Sequence, residues 1–93
     1  MELPTDYTKL TQRQRREVRL RYIEEQSGIC MYCGESLNEA APDRIRNAKI
    51  NLNLFPPGFF NHPIHLQHCH KTGMTEGAVH SHCNAYLWQY EGK

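Results

Sequence analysis

The sequence predicts a small α+β domain in which an N-terminal helix precedes a strand–turn–strand–helix unit. Three observations carry this. A capping pattern opens a helix at Thr11, two short strand-like runs begin near residues 64 and 77, and helical spacing resumes from about Ser81 to Tyr90. The stretch from His65 to Asn84, HLQHCHKTGMTEGAVHSHCN, holds five of the six histidines and two of the four cysteines. A packed core asks for neither residue at that density. The usual reason to concentrate them is a metal, a proton transfer, or both.

At 93 residues the chain is expected to be one domain, 1–93, with an arm and basic helix in 1–26 and the remainder in 27–93. A domain of this size has a thin core and often leans on a metal, disulfides or a partner chain. The net charge of +1 does not announce nucleic acid by bulk electrostatics, yet Lys9 to Ile23 contains six basic residues against one acidic, Glu17. Residues 1–22 have no apolar segment of the signal-peptide kind, and no run is long enough to span a membrane. The expectation is a soluble cytoplasmic chain with reduced thiols, where C-x-x-C spacing favours metal over disulfide.

Residues 1–10 read as an extended polar arm containing Pro4. Thr11 and Gln14 match a capping box, and Gly28 suits a helix stop, so a helix over about Gln12 to Gln26 follows. Its apolar stripe is thin, Val18, Tyr22 and Ile23. Arg13, Arg15, Arg16, Arg19 and Arg21 surround much of the rest, either as a solvated face with pairs such as Arg21–Glu25 or as phosphate contacts. Ser27 to Leu37 is a knuckle: Cys30 and Cys33 enclose two residues, and Gly34 stands where a tight turn wants a positive φ. Residues 38–61 are broken by Pro42, Pro56, Pro57 and Gly58. Within them Ile50 to Phe55 alternates as a half-buried strand would, and Phe55, Phe59 and Phe60 are candidates to plug the core. Ile64 to His68 reads as a strand, Lys71 to Gly73 as a turn, Gly77 to Val79 as the returning strand. Cys83, Leu87 and Tyr90 share one face of the final helix, with Ala85 and Trp88 beside it and Gly92 at its end.

His80-x-x-Cys83 mirrors Cys30-x-x-Cys33 across the long loop. Three thiolates and one imidazole from two knuckles make a tetrahedron, and four protein ligands make a closed, structural Zn²⁺ site. His82 is the rival to His80, and Cys69 the rival sulfur; His82 sits directly beside Cys83, with no residue between to form a knuckle. His65, Gln67, His68, Cys69, His70 and Asn84 are left outside that site.

Those residues resemble the HNH, or ββα-metal (His-Me finger), endonucleases, in the zinc-knuckle branch similar to recombination endonuclease VII. That branch has a C-x-x-C knuckle, an Asp-His-Asp-His-x-Thr-Gly segment, then Gly-x-x-Cys-x-x-Cys-Asn entering a helix. Here the matching residues are Cys30 and Cys33, then Gln67 to Gly73, then Gly77 to Asn84, with His80 where the family usually has cysteine. The match covers about Gln26 to Leu87, with an insertion around 38–61.

The resemblance implies a zinc-stabilised ββα-metal fold and hydrolysis of phosphodiester bonds in DNA, in a bacterial or phage-encoded setting, with a homodimer left open. His68 takes the general-base position, Asn84 and Gln67 metal-ligand positions, and His70 lines the same site, at a phosphate or in the metal shell. Gln67 replaces the family's metal-binding aspartate and removes the charge a hard cation wants. Imidazole from His70 or His65 then favours Mn²⁺, Ni²⁺ or Zn²⁺ over Mg²⁺, and the catalytic ion is expected among Mg²⁺, Mn²⁺, Ni²⁺ and Co²⁺. Two other classes compete: a non-catalytic zinc module binding nucleic acid or protein, and a redox or metal-storage protein using Cys30 and Cys33. The partner site at His80 and Cys83 argues against the last.

Overall fold

The computed structural model describes residues 2–92, and its regular elements follow the local chemistry closely. Helix α1 runs Gln12–Glu25. The Thr11 side chain accepts from the Gln14 N–H and the Gln14 side chain accepts from the Thr11 N–H, so the expected capping box forms in full. Gly28, at φ 74°, closes the far end by donating its N–H to Ile23. Val18 and Tyr22 are buried, Ile23 packs against the core, and Arg21 pairs with Glu25 at 3.5 Å.

Strands β1 (Ile64–His68) and β2 (Thr75–His80) form one antiparallel two-stranded sheet, with an irregularity in register between Gln67 and His68. Helix α3 (Ser81–Glu91) leaves β2 directly, and His80 is both the last residue of β2 and the residue before the helix. Helix α1 and α3 both pack against the sheet, and a short helix α2 (Asp43–Arg46) contacts α3. The core joins Val18 and Tyr22 to Cys30, Leu37, Ile45, Leu66, Ala78, Val79 and Cys83. This is a small α+β arrangement. Among the described residues no helix is long and apolar enough to cross a membrane.

Four expectations need correction. The arm is not simply extended: the Thr75 N–H donates to the Thr5 carbonyl, the Tyr7 N–H to that of Gly73, and Tyr7–Lys9 then forms a 3₁₀ turn. Ile50 to Phe55 is not a strand but a 3₁₀ turn at Leu52–Leu54 with both leucines exposed. The Asn51 side chain accepts from the Asn53 N–H, a local bond that competes with strand pairing. Phe55, Phe59 and Phe60 do not fill the core; they pack on one another and on Trp88, with Phe59 reaching His65 and Phe60 reaching His82. Finally, Tyr90 lies outside the buried face of α3, 49 % exposed, and Asn84 is buried there instead.

Candidate metal centre and histidine cluster

The first knuckle is shaped by its backbone. The Cys30 N–H donates to the Glu35 carbonyl, the Gly34 N–H returns to the Cys30 carbonyl, and Gly34 takes the left-handed φ of 79° that the turn requires. The Glu35 N–H then points at Cys33 Sγ, 3.5 Å away. The second half comes from the β2–α3 junction, where His80 and Cys83 stand one helical turn apart. Ligand atoms of Cys30, Cys33, His80 and Cys83 all lie within 4.8 Å of one another. Three of the four residues are buried.

His80 shows how the group is arranged for an ion. Its Nε2 lies 2.8 Å from the Ser36 carbonyl and 2.9 Å from that of Glu39, so Nε2 carries the proton and donates. Nδ1 is left as a lone pair facing Cys33 Sγ at 3.4 Å and Cys83 Sγ at 3.6 Å. Fixing a ligating imidazole by its other nitrogen is the usual outer-shell device of metal sites. The thiols polarise one another: a hydrogen bond from Cys83 draws Cys30 down to about 4, and the same bond, with burial, pushes Cys83 up. These four side chains can hold one metal ion, and three sulfurs with one imidazole suit zinc. The rivals fall away. His82 packs against Phe60 at 4.8 Å, Cys69 lies in the hairpin turn with Thr72, and neither joins the group.

The other histidines make a second cluster along β1. His68 ends the strand, half-buried, its ring stacked on Tyr7 at 3.8 Å and next to His70 at 4.5 Å. His70 in turn meets Trp88 of α3 at 4.0 Å. Arg15 lies over the Tyr7 ring, 4.0 Å from its centroid. Burial, and then His70 and Arg15, hold His68 below the ordinary imidazole value, so its ring is neutral near pH 7. Gln67 is 1 % exposed, and its Nε2 lies 3.3 Å from a Glu76 carboxylate oxygen.

Asn84, 7 % exposed on α3, meets β1 at His65, Nδ2 to Nδ1, 3.1 Å. Its Oδ1 is buried with no hydrogen-bond partner. Such an orphan costs about 1–3 kcal/mol unless something else supplies its partner.

The structure thus brings His68 beside His70, and Asn84 beside His65. Among the described residues these do not form a second group of three or more His, Cys, Asp or Glu ligands. Sequence reasoning missed Glu76 and Tyr7. Glu76 sits one residue before Gly77, where only the hairpin register reveals its contact with Gln67. No family model matches the chain, and comparisons with curated proteins and with solved structures find no match.

Proposed function

We propose that the chain is a divalent-metal-dependent DNA endonuclease of the HNH, ββα-metal type, its fold held by a structural zinc. The carrying observation is the buried, partnerless Oδ1 of Asn84 on α3, hydrogen-bonded through its other end to the strand whose last residue is His68. A strand, a hairpin and a helix that carry a neutral histidine and an unsatisfied amide oxygen suit hydrolysis assisted by a cation. Zinc at Cys30, Cys33, His80 and Cys83 supplies folding free energy, an apparent value of about 10–16 kcal/mol in small zinc modules, that a core this thin lacks.

Asn84, Gln67 and His70 are the side chains that would hold a divalent ion in this reading. Asn84 Oδ1 offers an oxygen, His70 an imidazole, and the Glu76 carboxylate against Gln67 returns part of the negative charge lost with the family's aspartate. When bound, such an ion stabilises charge developing on the scissile phosphate and the leaving oxygen. His68 accepts a proton from water as the water oxygen attacks phosphorus, and the bond to the leaving oxygen breaks. Tyr7 and His70 hold the His68 ring in place. Arg13, Arg16 and Arg19 offer cations to the DNA backbone.

The deciding experiment is a nicking assay on supercoiled plasmid with Mg²⁺, Mn²⁺, Ni²⁺ and Co²⁺. Cleavage by clean wild-type protein with at least one ion is expected. Cleavage with none would leave the non-catalytic zinc module, which Gln67 in place of aspartate favours, as the better reading.

A further inference from the structure

We infer that the exposed indole of Trp88 is a stacking platform for an unpaired base, which directs the chain to single-stranded DNA. The inference rests on the nuclease reading above and deepens it by naming the form of the substrate.

Trp88 stands one helical turn beyond Asn84, so the two side chains leave the same side of α3. Its ring meets His70 at 4.0 Å, and His70 meets His68 at 4.5 Å. The indole therefore borders the histidines where the scissile phosphate would lie. It also meets Phe55, at 6.4 Å. His70 and Phe55 approach it at 67° and 74°, so neither ring lies flat against the indole, and Trp88 stays 43 % exposed. A tryptophan needed only to pin the phenylalanine loop would gain by burying that area. Phe55, Phe59 and Phe60 instead pack on one another, and the groove they wall continues the aromatic surface. Exposed Lys71 follows His70 directly and, with the arginines of α1, supplies the positive charge a phosphate backbone seeks.

Imidazoles, a cation and a bare aromatic ring side by side suit a nucleotide, its phosphate at the histidines and its base on the indole. Every base has a π face, so such stacking reads no sequence. In a duplex those faces are covered by the neighbouring pairs. A base must leave the stack to reach Trp88, and the cost is least for a strand that is already single.

Trp88 is the only tryptophan of the chain, so its own fluorescence gives the test. The zinc-loaded full chain, with no other divalent ion added, is titrated with a short oligothymidylate, with an abasic strand carrying the same number of phosphates, and with a duplex of equal length. Quenching by oligothymidylate is expected, with little from the abasic strand or the duplex. Trp88→Ala should weaken oligothymidylate binding by about 5–150-fold, the worth of one stacked base, and leave duplex binding near wild type. Trp88→Phe should recover most of the loss. If Trp88→Ala does not fold, the wild-type titrations and Trp88→Phe still decide. The inference is overturned by equal quenching from the abasic strand or the duplex, or by wild-type affinity for oligothymidylate in Trp88→Ala. A wild-type dimer in sedimentation that Trp88→Ala converts to monomer would place a second copy on the indole and overturn it too. Nicking that depends on His68 without base-dependent quenching removes this inference alone. Base-dependent quenching in a protein that nicks with no ion keeps the platform and removes the nuclease reading.

Discussion

The rings of Tyr7 and His68 lie parallel, 6° apart in plane and 3.8 Å between centroids. The arm delivers Tyr7 through the Asp6–Met74 bridge, and Arg15 covers the tyrosine ring. The stack keeps water from one face of the imidazole, which disfavours its charged form. In the proposed mechanism the deprotonated ring is the base, so a lowered pKa would keep it working at lower pH, and activity would be lost only as pH falls through that lowered value. Tyr7→Ala should move the acid limb of the pH–rate profile up toward about 6.5, the ordinary imidazole value, with Tyr7→Phe near wild type. A limb for Tyr7→Ala that coincides with wild type would show that the stack has no hold on His68.

His68→Ala should lower the nicking rate by about 10²–10⁴-fold, the usual contribution of a positioned base. Fold, zinc content and DNA affinity should persist, because His68 lies outside the four-ligand group. Nicking at the wild-type rate would remove His68 from the mechanism.

Cys30→Ser and Cys83→Ser should each lose zinc and unfold, since both sulfurs are buried in the core as well as in the ligand group. Elemental analysis beside circular dichroism checks this. One equivalent of zinc retained in either variant, or a disulfide between any two of Cys30, Cys33 and Cys83, would exclude the assignment.

Gln67→Asp should shift activity toward Mg²⁺ relative to Mn²⁺ by supplying an anionic oxygen. Glu76→Gln should weaken divalent-ion activation in the wild-type background, because Glu76 is the carboxylate that touches Gln67. Metal titrations of the nicking rate compare the two, and an unchanged midpoint in Glu76→Gln would make its contact with Gln67 purely local.

Replacing Arg13, Arg16 and Arg19 together should weaken DNA binding alike across sequences. Each lost phosphate contact should flatten the salt dependence, with a slope change of about 0.9. Arg15 is different: its guanidinium is committed to Tyr7 and to the Tyr7 carbonyl, 3.3 Å away. Arg15→Ala should therefore disturb the arm and leave the salt slope near wild type. An unchanged slope in the triple variant would return α1 to a solvated face.

What the sequence disclosed was mostly what neighbours in the chain decide among themselves. Thr11 and Gln14 are three residues apart, Cys30 and Cys33 likewise, and His80 and Cys83 likewise, so their spacing carried the capping box and both halves of the metal group. Joining the halves needed only a chemical preference for four ligands. Tyr7 on His68 was not legible, because 61 positions of chain separate them and a lone tyrosine in a polar arm has no pattern. Glu76 was missed for a related reason: the register of a short hairpin decides what it touches. Residues 50–55 misled outright, since alternation in Ile50 to Leu54 is also what an Asn-capped turn with exposed leucines leaves behind.

The side chain of Gln26 carries a consequence for self-association. Its Oε1 accepts the Ala78 N–H at 2.9 Å and its Nε2 donates to the Ala78 carbonyl at 2.9 Å, while the Met31 N–H takes that same carbonyl at 3.0 Å. The outward-facing backbone of β2 is thereby closed at Ala78 by one amide imitating a neighbouring strand. An open edge invites another chain to extend the sheet, and here that invitation is withdrawn. Gly77 permits it: a Cβ there would stand 2.7 Å from Met31 Sδ and 2.8 Å from Gln26 Oε1. A side chain at that position would require the Met31 thioether and the Gln26 amide to shift, and so would loosen the contact that closes this edge.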